Sequence, residues 1–116
     1  MIEITYSMEN GRYTLEAKGH AGYDKHGHDI ICAAVSALLQ MGWAGLRNEC
    51  GVIGEMEQES GYFFFDCTVT NEEKQKEADT LMRSVIYGLK LIEDGAPKYL
   101  KVQQKGDRKS TRLNSS

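Results

Sequence analysis

Cysteine is scarce in this chain and does not fall into pairs. Three cysteines stand at positions 32, 50 and 67, an odd number with no CxxC spacing. A disulfide framework is built from an even set, so a stapled secreted scaffold is excluded. No uninterrupted apolar run approaches the ~20 residues of a membrane span. The start, Met1-Ile2-Glu3-Ile4-Thr5, lacks the basic-then-apolar order of a signal peptide. These absences predict a cytoplasmic protein with no membrane partner. Internal repeats and linker-like segments are also missing. The 116 residues suffice for one small domain with a single core, and a hydrophobic content of 41% excludes a disordered polar chain.

Charge is unevenly distributed. Lys105, Arg108, Lys109 and Arg112 against Asp107 give residues 105–116 a net +3, so the −3 of the whole chain leaves −6 for residues 1–104. An acidic body repels a phosphate backbone and suits a basic partner, so direct nucleic-acid binding is not expected. Residues 105–116 hold one large apolar residue, Leu113, and read as a disordered, non-native tail on a domain of residues 1–104.

Ile2, Ile4, Tyr6 and Met8 alternate with polar residues, as in a half-buried strand. Asn10-Gly11 marks a hairpin turn, and Tyr13, Leu15 and Ala17 alternate on the way back. A glycine-containing loop is expected from Gly19 to His28. Ile30 to about Arg47 reads as a helix apolar on nearly every side, buried by its neighbours, with Gly42 and Gly45 demanded by close packing. Val52 to Glu57, a Ser60-Gly61 turn and Tyr62 to Val69 read as a second hairpin. Thr70-Asn71-Glu72-Glu73 reads as a capping box. The helix behind it carries a stripe of Ala78, Leu81, Met82, Val85, Ile86, Leu89 and Ile92, ended by Gly95 and Pro97. Tyr99, Leu100 and Val102 suggest a last strand. The order β-β-α-β-β-α-β predicts an α+β single domain, a largely antiparallel sheet packed with two helices.

Chemistry concentrates where the first helix begins. In Asp29-Ile30-Ile31-Cys32-Ala33-Ala34-Val35-Ser36, Asp29 reads as an N-cap and Cys32 as a first-turn residue. Unpaired N–H groups and the positive end of the macrodipole at such a site would stabilise a thiolate. Upstream lies His20, in Gly19-His20-Ala21-Gly22. An imidazole brought close to Cys32 would complete a Cys/His pair, the minimum for covalent thiol catalysis. The competing reading is that Cys32 is a small buried hydrophobe of an apolar helix. Cys50 and Cys67 read as packing or loop residues.

The segment Gly19-His20-Ala21-Gly22 … Gly27-His28-Asp29-Ile30-Ile31-Cys32-Ala33-Ala34-Val35-Ser36 resembles the ribosomal-processing cysteine protease family. That family's pattern is a Gly-His near the end of the second strand, a glycine-containing loop, and Asp-x-(Val or Ile)-Cys-Ala-Ala-x-Ser opening a helix. Here histidine and cysteine are twelve positions apart. The resemblance implies a bacterial cysteine endopeptidase that removes the N-terminal extension of a large-subunit ribosomal protein precursor, and a homodimer. It implies His20 as general base and Cys32 as nucleophile, with Asp29, Ser36, Gly19 and Gly22 in support, and no cofactor or metal. Two alternatives stand beside it. One is a zinc-binding module using His20, His26, His28 and Cys32; the other is a non-catalytic ribosome-associated dimerisation domain.

Overall fold

A computed structural model describes residues 1–20 and 25–105, with side chains described for 1–20 and 30–105. Alternation builds its first hairpin. In β1 (Ile2–Glu9) Ile2, Ile4 and Tyr6 are buried, and in β2 (Arg12–Lys18) Tyr13, Leu15 and Ala17 are buried. Asn10 and Gly11 both take positive φ, at 51° and 84°, which fits the twist of a two-residue hairpin loop. β3 (Ile53–Glu59) and β4 (Tyr62–Thr68) form the second hairpin around Ser60-Gly61.

The sheet order is β3-β4-β2-β1-β5, with β5 at Leu100–Gln104. Three of its pairings are antiparallel and β1–β5 is parallel, so the sheet is mixed and largely antiparallel. The register Lys18↔Tyr62 sets the end of β2 beside the start of β4. Gly19-His20 therefore lies alongside the Ser60-Gly61 turn, and the Gly19 N–H donates to the Gly61 carbonyl at 2.9 Å.

Two helices, α1 (Lys25–Cys50) and α2 (Gln75–Gly95), cover one face of the sheet. Val35, Leu39, Trp43, Leu46 and Cys50 of α1 meet Ala78, Met82, Val85, Ile86 and Leu89 of α2 and the inward strand residues in one core. Trp43 stacks on Phe65 with ring centroids 5.4 Å apart, and Phe63 meets Phe65 edge-on at 6.2 Å. The glycines of α1 do pack closely. A β-carbon at Gly42 would come within 2.8 Å of Val85 Cγ2, and one at Gly45 within 2.6 Å of Leu81 Cδ2.

Four expectations are corrected. First, α1 begins at Lys25, before Asp29. Asp29 is therefore a helical residue rather than the N-cap, Lys25–His28 is helix rather than loop, and Cys32 lies beyond the first turn. Second, α1 is buried along one stripe only, with Ile30, Ala33, Ala37, Gln40, Met41 and Ala44 exposed. Much of its apolarity is alanine, which is inexpensive to leave in water. Third, Ile30–Cys50 is long and apolar enough to cross a membrane. Ser36 and Gln40 break the uninterrupted run without lowering the average enough, and the core packing of this helix accounts for its apolar stripe. Fourth, the cap before α2 is Asn71, whose Oδ1 accepts from the Glu73 N–H at 2.9 Å. It heads a 3-10 turn, Glu72–Lys74, that leads into the helix. Residues 106–116, most of the segment read as a tail, lie outside the described residues, as do Ala21 to Asp24 of the expected loop.

Candidate active site

The stripe that α1 buries continues toward its N-terminus through Ser36 and Cys32, at spacings of three and four residues. At this end the stripe meets an opening. A cavity of about 320 Å³ separates α1 from the sheet edge formed by the ends of β2, β3 and β4. Cys32, Val35, Ser36 and Leu39 line it from the helix, Gly19 and His20 from the end of β2, and Glu59, Ser60 and Gly61 from the second hairpin. His20 and Cys32, twelve positions apart in sequence, thus share one cavity.

His20 follows a glycine for a geometric reason. Gly19 has φ +103°, a conformation that L side chains rarely adopt, and it turns the chain out of β2. The Met1 amino group donates to the His20 carbonyl at 2.6 Å. The imidazole lies against Gly61, where an added β-carbon would sit 2.6 Å from Nε2. On the helix, Ser36 Oγ accepts from Gln40 Nε2 at 2.7 Å, one turn beyond Cys32. Tyr62 borders the cavity as well. Its hydroxyl donates to Glu16 Oε2 at 3.0 Å, and partial burial together with that bond raises its pKa.

The three thiols have different surroundings. Cys32 is partly exposed and faces the cavity. Cys50 and Cys67 are 3% and 1% exposed. Burial raises the Cys50 pKa, and burial with the nearby Asp66 carboxylate pushes Cys67 up to about 12. Neither core thiol suits nucleophilic chemistry near neutral pH.

Of the predicted site residues, Gly19, His20, Cys32 and Ser36 converge. Gly22 lies outside the described residues. Asp29 is placed by its backbone in α1, and its side chain lies outside the description, as do those of His26 and His28. Among the described residues no three potential metal ligands cluster. The start of α1 at Lys25 also removes the first-turn argument for Cys32. A helix's unpaired N–H groups lie in its first turn, which here begins at Lys25, and the dipole effect fades within that turn. The sequence reading missed Glu59, Ser60 and Gly61. Ser60-Gly61 was legible as a turn, but only the Lys18↔Tyr62 register shows that it returns to His20.

Known proteins resemble this chain in sequence and in fold. Residues 1–101 match the family described as Cysteine protease Prp. The ribosomal processing cysteine protease Prp of Bacillus subtilis (strain 168) is 30% identical over 102 residues, covering 80% of this chain and 88% of that protein. Two solved structures share the fold. One is the S. aureus ribosomal processing protease Prp in complex with a covalently linked product peptide, at TM-score 0.75 and 22% identity, covering 90% of this chain and all of that one. The other is SMU.848 of Streptococcus mutans, at TM-score 0.70 and 24% identity, covering 90% of this chain and 93% of that one. A match that runs over residues 1–101 makes this chain a member of the cysteine protease Prp family.

Proposed function

We propose that the chain is a cysteine endopeptidase that removes the N-terminal extension of a large-subunit ribosomal protein precursor, acting as a homodimer in the bacterial cytoplasm. The observation that carries this reading is the shared cavity of His20 and Cys32, with the other two cysteines sealed in the core. Family membership supports the reaction class. The names of the relatives, ribosomal processing proteases including structures with substrate and product peptides, support the substrate.

In the mechanism, His20 takes the Cys32 proton and Sγ attacks the scissile carbonyl carbon. The imidazolium then donates that proton to the leaving amine as the C–N bond breaks. Water, deprotonated by His20, hydrolyses the thioester and frees Cys32. A cavity of about 320 Å³ suits part of an extended segment better than a folded domain, in keeping with an unstructured N-terminal extension as substrate. Glu59 at its rim and the net −6 of residues 1–104 favour a basic peptide.

The test is incubation of the purified protein with the precursor, followed by sequencing of the new N-terminus. One internal cut that removes the extension, lost in Cys32→Ala, is expected. An uncut precursor, or cleavage that survives Cys32→Ala, would refute the reading. Stoichiometric zinc in protein purified without a His-tag would favour the metal-binding alternative.

A further inference from the structure

Gly61 occupies an unusual place. It is the second residue of the β3–β4 turn, with φ +75°. Its carbonyl accepts from the N–H of Gly19, the residue before His20, at 2.9 Å. Its bare α-carbon faces the imidazole. An added β-carbon would stand 2.6 Å from His20 Nε2, 2.9 Å from Cε1 and 3.3 Å from Cδ2. Distances under 3.0 Å are essentially never seen for real β-carbons, so the ring would have to move. Both residues line the same cavity.

A left-handed turn position favours glycine or asparagine whatever surrounds it, so the neighbours of each such glycine must be compared. Gly11, the second residue of the other hairpin turn, also has positive φ, +84°, but an added β-carbon there would meet only the Val69 and Gln75 side chains, at 3.1 Å and 3.3 Å. Gly51, which ends α1 with φ +64°, would meet nothing within 4 Å if it carried a β-carbon. Gly61 differs from both in what the missing side chain would strike.

We propose that Gly61 is a positioning residue for His20. Its lack of a side chain leaves the space in which the imidazole sits, and its carbonyl anchors the backbone one residue earlier. The second hairpin thereby sets the placement of the base from across the sheet. This inference rests on the reading of His20 as general base.

The experiment compares Gly61→Ala, Gly61→Asn, Gly51→Ala and His20→Ala. The readouts are the pH profile of Cys32 alkylation by iodoacetamide, the NMR titration of the His20 ring protons and thermal melting. Among the described residues, Glu59, Tyr62 and Cys32 are the other titratable groups lining the cavity, and the Met1 amino group donates to the His20 carbonyl; all four are unchanged across the set. Gly61→Ala and Gly51→Ala share the left-handed backbone penalty, so both melt lower. Only Gly61→Ala is expected to move the His20 ring signals and to slow Cys32 alkylation near neutral pH by about tenfold. Asn tolerates the left-handed conformation yet keeps the β-carbon, so Gly61→Asn should melt closer to wild type and remain slow.

A Gly61→Asn protein with the wild-type alkylation profile and ring signals would overturn the proposal, because only the turn would then need glycine. So would a Gly61→Ala protein indistinguishable from Gly51→Ala. If His20→Ala itself left the alkylation profile unchanged, the base assignment would fall and the proposal with it. A damaged His20→Ala beside wild-type-like Gly61 variants would sink the proposal alone.

Discussion

Cys32 and Cys50 lie on the same helix, 18 residues apart, which is five turns and ~27 Å along its axis. They therefore occupy the same face of α1. At the far end Cys50 is sealed in the core with Cys67 and Tyr13. At the near end Cys32 opens into the cavity it shares with His20. Helical phase treats the two alike, so what differs is the cover. Large side chains close the Cys50 end, whereas at the Cys32 end two strand termini turn on Gly19 and Gly61. Access to the two thiols of this helix is set by where the sheet stops covering it.

The largest effect that tests this difference is on turnover. Cys32→Ala should abolish cleavage of the precursor, and Cys32→Ser should be nearly inactive because a hydroxyl ionises far less readily. Both should melt within a few degrees of wild type, since the site is partly exposed and alanine suits a helix. Cleavage assays alongside thermal melts check this.

His20→Ala should reduce turnover by about 10²–10⁴-fold, the range of a lost general base, while His26→Ala and His28→Ala should matter less. If either of those were as damaging in steady-state kinetics, the base has been assigned to the wrong histidine.

The buried cysteines should show the opposite pattern. Cys67→Ser places a hydroxyl in the core at 1% exposure. It should cost about 1–3 kcal/mol of stability if the hydroxyl finds no partner, with turnover at permissive temperature within a few-fold of wild type. Denaturant titration and kinetics on the same preparation separate the two effects.

A smaller effect concerns alkaline pH. Burial raises the pKa of Cys67 to about 12 from an ordinary value of 9.0. Burial also raises Tyr13, helped by the hydrogen bond from its hydroxyl to Asp79 at 2.6 Å. The folded chain keeps these protons after the unfolded chain has lost them. Their contribution is complete below about pH 9 and declines toward pH 12. Melting temperature should fall across that window, and less so in Cys67→Ala after allowance for its lower starting point.

Much of this was legible in local pattern. The alternation of Ile2, Ile4 and Tyr6, the Asn10-Gly11 turn, and the stripe from Ala78 to Ile92 each depend on neighbours in sequence, and each became the expected element. Three features depend on distant partners and were not legible: the parallel β1–β5 pairing, the order of the sheet, and the return of Ser60-Gly61 to His20. The start of α1 misled because Gly27 and two histidines read as loop and Asp29 as a cap, although the helix runs through all of them. The resemblance carried by Gly19-His20 and Cys32 to Ser36 supplied what local pattern lacks, the pairing of two distant side chains.

The most direct measurement is a time course of iodoacetamide labelling of the native protein near neutral pH, mapped to each cysteine by peptide mass spectrometry. Rapid labelling of Cys32 is predicted, with Cys50 and Cys67 protected until denaturant is added, and slower Cys32 labelling in His20→Ala. Native labelling of Cys50 or Cys67 at a rate comparable to Cys32, or a Cys32 rate indifferent to His20, would contradict it.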